Sequence, residues 1–194
     1  MDLVEDVLKV SKYIFERNLV LGKAGNVSGR RRENGEDLIA ITPTLKSLNR
    51  LRQEDLVLTN IDGDVLTSGV PSSELETHLA IYREREDVNG IVHTHSPYAT
   101  GFSFSNMNLK RLEGFGKIER EHIKKIPYKI PGSHELAKHA SIAIKNEDVL
   151  ILENHGVVAI GSTVEEAGDL AEFVEGTAKT QFISNLLETR NLGV

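Results

Sequence analysis

His93 and His95 stand two residues apart in Ile91-Val92-His93-Thr94-His95. The apolar neighbours read as a buried strand, and side chains alternate across a strand, so both imidazoles point the same way and form a bidentate metal clamp. Two polar residues on a solvated strand face would give the same pattern. His155, in Glu153-Asn154-His155-Gly156, falls between two apolar runs. A His beside Gly at such a turn can approach a ligand closely, or it can be a satisfied structural histidine. Taken together, the three histidines offer three neutral nitrogen ligands and leave one position open, the pattern of a catalytic zinc site rather than a closed structural one. Glu74 follows Ser72 and Ser73 at the start of a predicted helix. There it is either a first-turn carboxylate favoured by the helix dipole, or a base and exchangeable fourth ligand beside the metal. Gly25-Asn26-Val27-Ser28, Thr42-Pro43-Thr44 and Ser72-Ser73 are small and polar. Backbone N–H groups at a Gly turn or helix N-terminus, helped by hydroxyls, suit a phosphate, although each stretch is equally an ordinary turn or cap.

The elements that must position these residues follow from periodicity. Leu3, Val4, Val7, Leu8, Ile14 and Phe15 share one helical face over residues 3–17, which Asn18 and Gly22 interrupt. Residues 38–41 and 56–59 read as strands, and Asp62-Gly63 as a hairpin turn into Val65-Leu66. Ser73 with Glu76 has capping-box spacing, which predicts a helix carrying Leu75, Leu79 and Tyr82 and closed by Asn89-Gly90. Pro97 begins the next helix, and residues 107–130 read as loop with weak strand. Ser133 is a predicted N-cap for a helix to Lys145. Strands at 148–152 and 157–160 flank the His155-Gly156 turn, and Thr163 with Glu166 makes a second capping box before the final helix. Helices and strands alternate, with several short turns between strands. The expectation is an α/β fold whose mixed or mostly antiparallel sheet is covered by helices.

Composition narrows the function classes. The 194 residues contain no Cys, which excludes a disulfide scaffold, a zinc ribbon and a Cys nucleophile. The chain length fits one domain over 1–194. The net charge of −6 argues against a nucleic-acid partner held by bulk electrostatics. No apolar run approaches the ~20 residues a membrane span needs, and the acidic start lacks the pattern of a signal peptide. These features suggest a cytoplasmic protein with no nucleic-acid or membrane partner.

Five segments in register carry a resemblance. They are Gly25-Asn26-Val27-Ser28, Ile41-Thr42-Pro43-Thr44, Pro71-Ser72-Ser73-Glu74, Ile91 to Ser96, and Asn154-His155-Gly156. In this order they resemble the class II aldolase/adducin family, most of all its L-fuculose-1-phosphate aldolase branch. The resemblance implies a three-layer αβα domain with a central, mainly antiparallel sheet, assembled as a homotetramer with active sites at subunit interfaces. It implies His93, His95 and His155 as ligands of one Zn2+ per subunit, and Glu74 as acid/base and occasional fourth ligand. It implies Asn26, Thr44, Ser72 and Ser73 as a phosphate pocket, with the Gly25 backbone nearby. The implied reaction is reversible retro-aldol cleavage of a ketose 1-phosphate to dihydroxyacetone phosphate and an aldehyde such as lactaldehyde. Three departures stand out. Leu45 replaces a glycine usual after Thr44. Leu112-Glu113-Gly114-Phe115 lacks the expected proton-donating tyrosine, a role Glu113 could fill. The sequence ends at Val194 without the longer tail of some relatives. The same fold also carries pentulose 5-phosphate 4-epimerases and thioribulose-phosphate dehydratases. An adducin-like binding module without catalysis is the reading from another class, and the three histidines argue against it.

Overall fold

The computed structural model describes residues 2–112, 114 and 120–190. Helix α1 (Leu3–Glu16) starts where the Asp2 carboxylate accepts from the Val4 N–H, and it buries Leu3, Val7, Val10 and Ile14 on one face. Asn18, at φ +59°, ends it. Strands β1 (Asn26–Glu33), β2 (Glu36–Ile41) and β3 (Val57–Asn60) follow. Next come α2 (Leu75–Glu84), β4 (Gly90–Thr94), α3 (Pro97–Phe104) and β5 (Lys124–Ile126). The remaining elements are α4 (His134–Ile144), β6 (Val149–Leu152), β7 (Gly156–Gly161) and the 27-residue α5 (Val164–Arg190).

The strands form one sheet in the order β3-β2-β1-β4-β7-β6-β5, antiparallel throughout except for the β5–β6 pair. Alternation along the strands divides the core. Ala40, Val92, Val157, Ala159, Val149 and Ile151 face α1, α3 and α5. Ile39, Ile91, Val158, Ile160, Leu150 and Leu152 face α2 and α4. The outcome is three layers, α on both faces of a mainly antiparallel sheet, as the alternating pattern predicts. Among the described residues no helix is long and apolar enough to cross a membrane.

Local expectations need correction or detail at four places. Residues 26–33 form a strand although their sequence is polar, because Ser28 and Arg30 bury their side chains against polar partners on and just after α2. The Ser73–Glu76 capping box does not form. Instead Glu74 stands at the N-cap of α2 without capping it, Ser72 Oγ accepts from the Glu74 N–H, and Glu76 pairs with Arg83. Leu45 adopts φ +58°, so the backbone takes the left-handed form that glycine favours, at a cost of about 1–2 kcal/mol for a side chain bearing Cβ. The second capping box forms with a shift: Thr163 Oγ1 accepts from the Glu166 N–H, while the Glu166 carboxylate accepts from Ser162.

Candidate metal centre and active site

Two segments bring the histidines together. His93 lies on β4, whose five residues are all buried. His95 follows just past the strand end, where its N–H donates to Leu19 O in the α1–β1 connection. His155 sits in the β6–β7 turn, where Asn154 takes φ +52°, a conformation Asn tolerates better than most residues. Pairing of β4 with β7, with His93 opposite Val158, carries that turn to the end of β4. The three ring centroids lie 4.7, 4.8 and 5.1 Å apart, and one nitrogen from each ring falls within 4.8 Å of the others. Close packing of glycines permits this approach. A Cβ on Gly156 would meet Thr94 O at 2.4 Å, and one on Gly25 (φ +78°) would meet His93 O at 2.8 Å.

Glu74 completes the cluster. Its carboxylate is buried, with Oε2 3.0 Å from His93 Nε2 and Oε1 3.5 Å from His155 Nε2. Asn26 Nδ2 donates to Oε2 at 3.0 Å. Burial pushes the Glu74 carboxyl up, but the charge and hydrogen bond of His93, then His155 and Asn26, prevail and hold it well below the usual carboxylate range. Burial also disfavours a charged His93, yet Glu74 overcomes it and raises that ring. Burial, and then repulsion from the neighbouring rings, lowers His95 to about 3 and His155 to about 4.

The donor set fits a divalent metal. His93 Nδ1–H donates to Val157 O at 2.9 Å, which turns the Nε2 lone pair inward. Nε2 then faces His95 Nε2 at 2.9 Å and Glu74 Oε2 at 3.0 Å, a convergence of ligand atoms that a metal ion can occupy once the ring gives up its second proton. Ligands about 2.0–2.1 Å from a tetrahedral ion lie about 3.3 Å apart, a spacing that the His93–His95, His93–Glu74 and His155–Glu74 contacts of 2.9, 3.0 and 3.5 Å already approach. Glu74 Oε1 and His155 Nδ1 are buried without a hydrogen-bond partner, a further sign of a polar site built for a ligand.

Of the residues expected to form a phosphate pocket, Asn26 and Ser72 touch Glu74 directly. Thr44 N–H donates to Val70 O and Ser72 N–H to Thr42 O, which lays the Thr42–Thr44 segment beside Val70–Ser72. Ser72 is buried and Ser73 exposed. Gly132, at φ +73°, packs against the Ser73 carbonyl. Asn26 has more to do than the sequence suggests: its side chain bridges Glu74 and His78, with Oδ1 2.6 Å from His78 Nε2. His78 also meets Ser28 Oγ at 2.6 Å through Nδ1, and Ser28 Oγ meets Tyr82 OH at 2.8 Å. Sequence reasoning passed over His78, read Ser28 as part of a phosphate-suiting stretch, and read Tyr82 only as a residue of the α2 face. The available signal is spacing, since His78 lies four residues after Glu74 and hence one helical turn on, on the same side. Glu113 lies outside the described residues.

Known proteins resemble this chain in sequence and fold. The class II aldolase and adducin N-terminal domain family matches residues 5–182. An L-fuculose phosphate aldolase of Methanococcus maripaludis is 38% identical over 188 residues, covering 97% of this chain and 100% of its own. A 3-oxo-tetronate 4-phosphate decarboxylase of Haemophilus influenzae is 35% identical, covering 92% and 86%. A solved L-fuculose 1-phosphate aldolase superposes with a TM-score of 0.85 at 28% identity, over 100% of this chain and 88% of that one. The fold, the three-histidine cluster and these likenesses agree: the chain belongs to the class II aldolase and adducin family, and within it is most like the fuculose phosphate aldolases.

Proposed function

We propose that this chain is a zinc-dependent aldolase, one catalytic domain acting in the cytoplasm on an L-fuculose 1-phosphate-like ketose. The products are dihydroxyacetone phosphate and an aldehyde such as lactaldehyde. The observation that carries the reading is the buried Glu74 carboxylate, held between His93 and His155 and fixed by Asn26. His93, His95 and His155 would hold the metal, with Glu74 as an exchangeable fourth ligand. A bound zinc supplies Lewis acidity, polarising the ketone and offsetting the charge that develops on its oxygens. Glu74 acts as the base. In the condensation direction it takes a proton from the carbon beside the ketone, and in cleavage it returns one. Thr44, Ser72, Ser73 and the backbone near Gly25 and Asn26 orient the phosphate, and such orientation can supply several kcal/mol toward the barrier. Glu113 is the proposed proton donor to the aldehyde oxygen.

The decarboxylase relative favours a second reading. Loss of carbon dioxide from a 3-keto acid phosphate also leaves a carbanion beside a ketone, so the same Glu74 and metal ligands would serve. Protonation of that carbanion also gives dihydroxyacetone phosphate, so its proton exchange tests the machinery that the two readings share, and carbon dioxide release from the 3-keto acid phosphate separates them. Incubation of dihydroxyacetone phosphate in deuterated water, followed by NMR, should show stereospecific, chelator-sensitive exchange of one carbon-bound proton. No exchange by zinc-loaded protein refutes the aldolase reading and points to 4-epimerase or dehydratase chemistry.

A homotetramer with interface sites is part of the proposal. Phe182, Ile183, Leu186 and Leu187 on α5 are exposed, and Met107, Phe182 and Leu186 line one apolar cavity with Tyr98 and Phe102. Exposed apolar surface of this kind suits a second copy of the chain. Light scattering should return about four times the 21.5 kDa chain mass, and a monomer at micromolar concentration would overturn the interface model.

A further inference from the structure

The hydrogen bonds beneath Glu74 leave no freedom in their direction. An ionised carboxylate only accepts, so Asn26 must present its Nδ2–H to Glu74. Asn26 Oδ1 therefore faces His78, and the His78 nitrogen that meets it, Nε2, must carry a hydrogen. A neutral imidazole with Nε2–H has a bare Nδ1, so Ser28 must give its hydroxyl hydrogen to Nδ1. Ser28 then has only lone pairs left for Tyr82, and Tyr82 O–H donates to Ser28. Burial lowers His78 to about 3, which keeps the ring neutral near pH 7. Every group on this path is buried, from Tyr82 through Ser28, His78 and Asn26 to Glu74. Arg30, also buried, stacks over the Tyr82 ring at 4.9 Å. The path spans β1 and α2, so it ties the N-cap of α2 to the strand beside the histidines.

We propose that His78 is the positioning residue for Glu74: its Nε2–H tautomer, which the Ser28 hydroxyl supports by donating to Nδ1, dictates which end of the Asn26 amide faces the carboxylate. In the opposite tautomer His78 Nε2 would accept, Asn26 would turn its N–H toward the ring, and Oδ1 would face Glu74. Acceptor would then meet acceptor, and the carboxylate would leave its place between His93 and His155. The His78 backbone N–H also donates to the Glu74 carbonyl at the start of α2, but the His78 side chain reaches the carboxylate through Asn26. The inference rests on Glu74 being the base.

The test uses zinc-loaded protein and the dihydroxyacetone phosphate exchange assay. His78→Leu is expected to lower kcat for exchange about 10²-fold, with one zinc per chain retained and KM changed less than threefold. His78→Gln places an amide N–H near the site of ring Nε2 and is expected to recover at least tenfold of that loss. Wild-type kcat in folded, zinc-loaded His78→Leu overturns the proposal, as does a loss that His78→Gln does not restore. Should His78→Leu fail to fold, Ser28→Ala removes only a hydroxyl. In that variant ¹⁵N NMR of labelled histidine should show His78 as a mixture of tautomers in place of one, with kcat down three- to tenfold. A single unchanged tautomer with unchanged kcat overturns the proposal. Glu74→Gln, run beside these variants, separates the two readings. Wild-type exchange by Glu74→Gln removes Glu74 as the base. An inactive Glu74→Gln with an unaffected His78→Leu removes only the positioning role of His78.

Discussion

Gly156→Ala probes how the sheet holds the candidate site. Gly156 opens β7 directly after His155 and faces β4. Its φ is not positive, so alanine brings no backbone strain and the whole effect is one of space. The new Cβ would lie 2.4 Å from Thr94 O and 3.2 Å from Cε1 of His93, where ordinary contact starts at 3.4 Å. The strands must therefore part by about 1 Å at the carbonyl, a forced overpacking that typically costs about 1–3 kcal/mol. For a chain of this size that corresponds to a fall in Tm of about 2–12 °C. The same displacement moves His155 away from His93, whose ring centroids now lie 4.7 Å apart. Metal and catalytic constellations tolerate about 0.5 Å, and a 1 Å misplacement can cost about 10²-fold in rate. The expected result is at least a tenfold loss of metal affinity in chelator competition and a turnover about 10²-fold lower under metal saturation. Metal affinity and turnover both within twofold of the parent would refute the reasoning, because the contact of β7 with β4 would then play no part in the site.

The metal ligands are tested one at a time: His93→Ala and His155→Ala should each lose the bound metal, measured by elemental analysis after gel filtration. A variant that keeps one equivalent is not a ligand position. Glu74→Gln should keep its metal and lose about 10²–10⁴-fold in turnover, the usual contribution of a positioned base. Unchanged turnover would remove Glu74 from the chemistry. Gly101→Ala, on an exposed helical position of α3 with open space around the new Cβ, should raise stability by about 0.5–1 kcal/mol in denaturant unfolding. A loss of stability there would show that α3 is constrained by something other than its own backbone.

Much of the scaffold was legible because apolar periodicity carries it. The α1 face, the β6 and β7 alternation and the Ser133 cap all depend on local patterns that the chain states openly. The His93–His95 pair was legible in part: His93 lies on the buried β4 and His95 just past its end, yet the two rings still come together. Strand β1 was not, because Ser28, Arg30, Arg31 and Arg32 look like a solvated run. Its inner face is polar and buried at once: Arg30 donates to the carbonyls of Tyr82, Arg85 and Glu86 as α2 ends, and also to that of Val88. Polar residues that satisfy one another across two elements leave no apolar signature in either. The start of α2 was misjudged for a related reason. Capping rules assume a surface helix end, whereas here Glu74 turns inward and the local hydroxyl serves its N–H instead.

The order of strands sets when such a site can exist at all. Asn26, His93 and His155 span 130 positions of chain (26 to 155), and they meet through β1–β4 and β4–β7, neither of which is a hairpin. Pairings of that kind close long loops before any contact rewards them, so they form late and slowly. The site is then among the last things completed on folding and among the first lost when the centre of the sheet opens. An ion that binds the native cluster and not the separated strands pulls on the global equilibrium, by about 2.7 kcal/mol at a hundredfold excess over its Kd. The cluster would thus act as a latch on the middle of the sheet, and the metal supply would set how long the whole chain stays folded.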